Sequence, residues 1–186
     1  GDARTQQTQA EQAITNGAKI LLLVNLDSGS GAAIIALARE AGVAIIDYDR
    51  LTIEGDGADY YVSFDNVKVG TVMGQGLVSC ITDWGVKGPN VIVMKGAPTD
   101  NNATLFKQGY ETVIKDAGYT IADDQAVPDW DNTKAGTIFE QIYTKTDGKF
   151  QGVAAANDGL GGAAIAVLAV RIAVGIFVAV VFAVVV

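Results

Sequence analysis

The run Ala44-Ile45-Ile46-Asp47-Tyr48-Asp49-Arg50 ends an apolar stretch abruptly in an aromatic, a carboxylate and a guanidinium. In an open α/β sheet, ligands bind outside the carboxyl ends of the strands. An Asp there accepts hydrogen bonds from hydroxyls, and the planar Arg fork donates several at once. The pair Asp49–Arg50 therefore suits a polyhydroxylated small molecule. Plainer roles exist for both: Asp49 as a turn cap and Arg50 as half of a surface ion pair. Other groups carry less. Asp123, Asp124, Asp129 and Asp131 supply carboxylates, but no pair is placed as the acid and base of glycoside chemistry. Asp129-Trp130-Asp131-Asn132 alternates oxygen ligands as a calcium loop does, without the later Glu or the Gly at the required spacing. Gly74-Gln75-Gly76 is too isolated for a phosphate loop, and Asn102-Ala103-Thr104 matches a glycosylation acceptor.

Composition narrows the classes. The 186 residues carry a net charge of −8, which opposes nucleic-acid binding, and 49% are hydrophobic, enough for a packed core. There is no His, and Cys80 is the single cysteine, so an internal disulfide, zinc sites and Ser–His or Cys–His catalysis have almost no raw material. The start, Gly1-Asp2-Ala3-Arg4-Thr5-Gln6-Gln7, is polar and has no apolar leader; a mature exported chain looks the same, so this does not place the chain in the cytoplasm.

The elements that position these residues alternate regularly. Apolar periodicity and Gly stops predict helices over 4–16, 30–41, 66–81, 101–117, 134–144 and from 160 onward. Short apolar runs predict strands over 18–24, 43–47, 60–64, 90–94, 119–122 and 152–156, buried on both sides in mainly parallel sheets with helices on both faces. Gly70, Gly74 and Gly76 weaken the helix over 66–81. Polar residues follow the strand ends (Asn25, Asp27, Asp49, Arg50, Asp65, Asn66, Asp100, Asn101, Asn102, Asp129, Trp130, Asn157, Asp158) and line one edge, although turn formation and helix capping explain many of them. From Ile165 the chain uses only Ala, Val, Ile, Leu, Phe, Gly and one Arg. That tract is long enough to span a membrane, which takes ~20 residues. Against this, Arg171 falls mid-segment, no basic flank follows, and the β-branched end favours a strand. Its monotony is that of apolar placeholders rather than of a gene-encoded sequence, and no function is read from it.

Ile46-Asp47-Tyr48-Asp49-Arg50-Leu51, then Asp59-Tyr60-Tyr61-Val62-Ser63-Phe64-Asp65-Asn66-Val67-Lys68-Val69-Gly70, then Gly96-Ala97-Pro98-Thr99-Asp100-Asn101-Asn102-Ala103 and Ala155-Ala156-Asn157-Asp158-Gly159 resemble the periplasmic sugar-binding proteins of bacterial ABC transporters, in particular their D-xylose-binding branch. The resemblance covers about 2–168. It implies a fold of two α/β lobes with sugar bound between them: residues 1–62 as part of the first lobe, 63–164 as the second, and 165–186 as a helix and strand of the second. It also implies that the first strand and helix of the first lobe, and the end of the second, lie outside these residues. The implied function is capture of a xylose-like monosaccharide for a membrane permease, by a periplasmic or extracellular monomer, with a lipid anchor conceivable. No catalysis, cofactor or metal is implied. The implied ligand groups are Asp49 and Arg50, then Asn101, Asn102 and Asn157, with Trp130 stacking on the sugar ring. Each has a structural alternative: one of Asn101 and Asn102 as a helix cap, Asn157 as another, and Trp130 as core. The other function compatible with this fold is the sugar-sensing domain of a transcription regulator, which calls for a basic DNA-binding helix pair upstream.

Overall fold

The computed structural model describes residues 2–171 and the backbone of 179–182. The chain divides into two compact units: Gly1–Phe64 with Thr99–Asn102, and residues 65–98 with those from 103 onward.

The first unit contains α1 (Ala3–Thr15), β1 (Ile20–Leu23), α2 (Gly31–Glu40), β2 (Ala44–Tyr48) and β3 (Tyr60–Val62). Asp2 caps α1 by accepting from the Thr5 N–H at 2.9 Å, and Gly17, at φ +89°, ends it in a conformation other residues rarely adopt. The sheet order is β1-β2-β3, all parallel, with Leu22 opposite Ile46 and Ile46 opposite Tyr60. Leu23, Val43 and Ile45 pack under Ile34, Ile35 and Ala38 of α2, flanked by Ala10 and Ile14 of α1. Burying each large side chain contributes about 1.5–3 kcal/mol. The expectation of strands buried on both sides fails here. Ile20, Leu22 and Tyr60 are 60%, 69% and 70% exposed. Strand side chains alternate, and both helices cover the Leu23–Ile45 face. The opposite face carries Ile20, Leu22 and Tyr60.

The second unit contains α3 (Asn66–Asp83), β4 (Asn90–Lys95), α4 (Asn101–Asp116, its first two residues counted with the first unit), β5 (Thr120–Ala126), α5 (Asn132–Thr146), β6 (Gly152–Ala155), α6 (Asp158–Arg171) and β7 (Ala179–Phe182). The order is β5-β4-β6-β7, again all parallel. Val91, Ile92, Val93 and Met94 are fully buried, as a central parallel strand requires. The glycines that weaken α3 on paper serve its packing. A Cβ on Gly70 would lie 2.1 Å from the Phe106 carbonyl oxygen, and one on Gly109 would lie 2.2 Å from that of Val67, so α3 and α4 touch backbone to backbone. β5 runs well past the predicted 119–122. Its register shifts by one residue beside Val91/Ile92, and the strand continues through Asp123, Asp124 and Gln125. Polar residues are tolerated there because β5 is an edge strand, and Lys95 and Lys107 pair with Asp124 while Lys145 pairs with Asp123. Of the apolar tract, 165–171 continue α6 and 179–182 form β7. Residues 172–178 and 183–186 lie outside the described residues. No helix among the described residues is long and apolar enough to cross a membrane.

Candidate functional site

At the carboxyl end of β2 the chain turns sharply. The Arg50 N–H donates to the Tyr48 carbonyl at 2.8 Å around Asp49, whose φ is +65°. This is a γ-turn of the rarer, strained hand. It persists because its surroundings over-determine it. The Asp49 N–H donates to the Val62 carbonyl at 2.9 Å. The Asp49 carbonyl accepts from Ser63 Oγ at 2.8 Å, from the Tyr61 hydroxyl at 3.2 Å and from Asn102 Nδ2 at 3.2 Å.

Arg50 is held as firmly. Its Nε lies 2.9 Å from Asp100 Oδ2, and its Nη1 donates to the carbonyls of Asn25 and Leu26 at 3.3 and 3.5 Å. Asp49 Oδ1 receives a long contact from Asn102 Nδ2 at 3.4 Å, and Oδ2 receives none among the described residues. The turn thus fixes two residues of complementary capacity, an acceptor and a donor, at consecutive positions of the chain. Burial pushes the Asp49 carboxyl above the ordinary aspartate value of 3.8. The Arg50 guanidinium pulls it down less than burial raises it, and Asp100 adds to the rise.

Thr99–Asn102 complete this cluster. The Ser28 N–H donates to the Thr99 carbonyl at 2.9 Å, and the Asn101 N–H donates to Ser28 Oγ at 3.0 Å. Neither asparagine is the expected helix cap. Asp100 Oδ1 accepts from the Asn102 N–H at 2.9 Å and takes that role. Asn102 is tied to Asp49; among the described residues its own Oδ1 is buried without a partner, and the side-chain amide of Asn101 is unengaged. The structure thus brings Asp49, Arg50, Asn101 and Asn102 together.

Trp130 and Asn157 belong to the second unit. Trp130 ends a 3₁₀ turn, Pro128–Trp130, and both Asp129 (φ +60°) and Trp130 (φ +56°) are left-handed. The indole is half-buried against the core of that unit and lies on the bare Cα of Gly96, where an added Cβ would come within 2.0 Å of Cη2. Asn157 caps α6, its Oδ1 accepting from the Leu160 N–H at 2.8 Å, and its Nδ2 remains unengaged among the described residues. The calcium-like run is spent on structure. Asp131 Oδ1 caps α5 by accepting from the N–H groups of Thr133 and Lys134, and Asp129 pairs with Lys134. No group of three metal-ligating side chains occurs among the described residues. A cavity of about 200 Å³ beside Gly96 is lined by Lys95, Thr104 and Lys107, but Asp124 takes both lysines.

Sequence reasoning missed Asp100 as the partner of Arg50. It also missed the buried Asp47, Thr52 and Asn25 behind the turn. The signal was present: a carboxylate inside an apolar strand needs a partner.

The sequence profile described as the periplasmic binding protein domain matches residues 1–184. The chain is 33% identical over 175 residues to the D-xylose-binding periplasmic protein of Escherichia coli (strain K12), covering 92% of this chain and 51% of that protein. It is 31% identical over 172 residues to the multiple sugar-binding periplasmic receptor ChvE of Rhizobium radiobacter, covering 86% and 49%. An ABC transporter solute-binding protein from Clostridium phytofermentans, solved with bound β-D-glucose, superposes with a TM-score of 0.82 at 30% identity over 91% of this chain and 56% of the other. The chain spans about half the length of the curated relatives it matches.

Proposed function

Since this chain belongs to the periplasmic binding protein family, we propose that it is part of a solute-binding protein that captures a monosaccharide for an ABC transporter. The sugar we assign is a xylose-like pentose. The observation that carries the reading is the strained turn at the carboxyl end of β2, which holds Asp49 by its backbone and Arg50 through Asp100 and the carbonyls of Asn25 and Leu26. A sugar hydroxyl both donates and accepts, and a fixed carboxyl beside a fixed guanidinium edge answers both. Asn101, Asn102 and Asn157 offer amides of the same dual capacity, and Trp130 an apolar ring face. The likeness to the D-xylose-binding periplasmic protein of Escherichia coli supports the sugar class. A carrier of this kind makes and breaks no bond, and the relatives point to the periplasm and a permease as its setting. Calorimetry on the full-length protein against pentoses and hexoses tests the reading. D-xylose should bind, and Asp49→Ala or Arg50→Ala should each weaken it by about 10- to 100-fold, the worth of one charge-assisted hydrogen bond. An unchanged affinity in either variant removes that residue from the site.

A further inference from the structure

Behind the turn lies a buried polar chain that the sugar contacts do not use. Asp47 is fully buried on β2, under α2, and both of its carboxyl oxygens accept from one residue: the Thr52 N–H donates to Oδ2 at 2.6 Å, and the Thr52 hydroxyl donates to Oδ1 at 3.0 Å. Having given its proton to Asp47, the hydroxyl is free to accept, and Asn25 Nδ2 donates to it at 3.0 Å. The same Nδ2 donates to the Arg50 carbonyl at 3.2 Å, while the Asn25 carbonyl accepts from Arg50 Nη1. One direction of proton donation satisfies all of these bonds. Asn25 Oδ1, buried and without a partner among the described residues, is the cost of that orientation. Gly31 leaves the room for it: a Cβ there would lie 2.4 Å from Thr52 Oγ1 and 3.3 Å from the Asn25 Cβ.

We propose that Asp47 is a positioning residue for sugar recognition, setting the Arg50 guanidinium through Thr52 and Asn25 without touching the ligand. This rests on the assignment of Arg50 to the sugar. A carboxylate is needed because it accepts on both oxygens. An amide at residue 47 has one acceptor, so it would point its donor either at the Thr52 N–H or at the Thr52 hydroxyl, which already accepts from Asn25; the first breaks the backbone bond and the second takes away the hydroxyl's acceptor. The strained turn at Asp49 has its own anchors in Val62, Ser63 and Tyr61, so what the chain behind it fixes is the Arg50 side of the turn.

The test is a double-mutant cycle on the full-length protein with D-xylose as the probe. Asp47→Asn and Thr52→Val, the latter keeping shape and the backbone N–H bond, are each made in the native protein and with Arg50→Lys. D-xylose affinity is read by calorimetry and the sugar-free thermal midpoint by circular dichroism. If Asp47 acts through Arg50, each variant weakens D-xylose by roughly tenfold, the worth of one buried hydrogen bond. In the Arg50→Lys background the further loss shrinks to about twofold or less, because coupled sites are not additive. A loss of undiminished size in that background, or native affinity in Thr52→Val, overturns the proposal while leaving Arg50 in the site. If Arg50→Lys alone leaves the affinity unchanged, the assignment of Arg50 falls, and the positioning role with it. Should Asp47→Asn fail to fold, Thr52→Val decides.

Discussion

Replacing Gly96 by Ala tests how Trp130 is seated. Gly96 is buried at the end of β4, and a Cβ built there lies 2.0 Å from Cη2, 2.1 Å from Cζ2 and 2.5 Å from Cζ3 of the indole. Carbon atoms rest about 3.5–4.0 Å apart, so the ring edge must retreat by roughly 1.5 Å. The side chain is the part that moves, because β4 is fixed between β5 and β6. Overpacking of this kind costs about 1–3 kcal/mol. Part of that is recovered here, since Asp129 and Trp130 both occupy left-handed backbone that costs of order 1–3 kcal/mol each and relaxes once the indole lets go. The expected net loss is therefore about 1 kcal/mol. The assay is tryptophan emission and near-ultraviolet circular dichroism in a Trp84→Phe background, which leaves Trp130 as the one tryptophan of these 186 residues. The emission should move to the red and the near-ultraviolet bands should shrink. D-xylose affinity should fall with them if the ring is a sugar platform. A folded variant with unaltered emission and near-ultraviolet signal refutes the packing argument. Displacement of the ring without loss of affinity removes Trp130 from the proposed site.

Two further predictions separate binding from folding. The fold raises the Asp49 carboxyl above 3.8, so in the window upward from 3.8 the folded chain holds a proton that the unfolded chain releases. The stability this group confers falls as pH rises through that window, while an acceptor for sugar is gained. Acidification should thus weaken D-xylose binding sooner than an ordinary aspartate would, and thermal midpoints compared with Asp49→Asn should show the opposite stability trend. At Asn157, the Asp variant keeps the acceptor for the Leu160 N–H but loses the amide donor, so its thermal midpoint should hold while its sugar affinity drops. The Ala variant should lose affinity and also about 1 kcal/mol of stability with the cap. Equal affinity of native protein and Asn157→Asp, measured by calorimetry, would leave Asn157 a cap alone.

The alternation of strand and helix was legible because buried parallel strands read as unbroken apolar runs, as in β4. The same signal misled at β1, where Ile20 and Leu22 are as apolar as Leu21 and Leu23 but stand on the face the described helices do not cover. Burial depends on which elements arrive, and composition is silent on that. β5 was read short because Asp123-Asp124-Gln125 resembles a loop. Lysines on β4, α4 and α5 make those residues compatible with a strand, and lysines remote in sequence leave no local mark. The Asp49–Arg50 turn was legible as a motif, but its supports were not. Asp100 lies 50 positions from Arg50, and the positive φ of Asp49 has no signature as a glycine would. The expected cap at Asn101 or Asn102 is displaced by Asp100, a competition between neighbours that residue type alone leaves undecided.

The all-parallel order β5-β4-β6-β7 bears on how the chain comes to fold at all. Parallel neighbours have no tight hairpin to bring them together, so each pairing must close a long loop before any ladder bond forms. β4 pairs with β6 across a stretch of chain that contains α4, β5 and α5, with Val91 meeting Gly152. On the ribosome, β4 has one vacant flank until Gly152–Ala155 has been synthesised and has left the exit tunnel. Its ordering is thereby timed by translation of the downstream sequence.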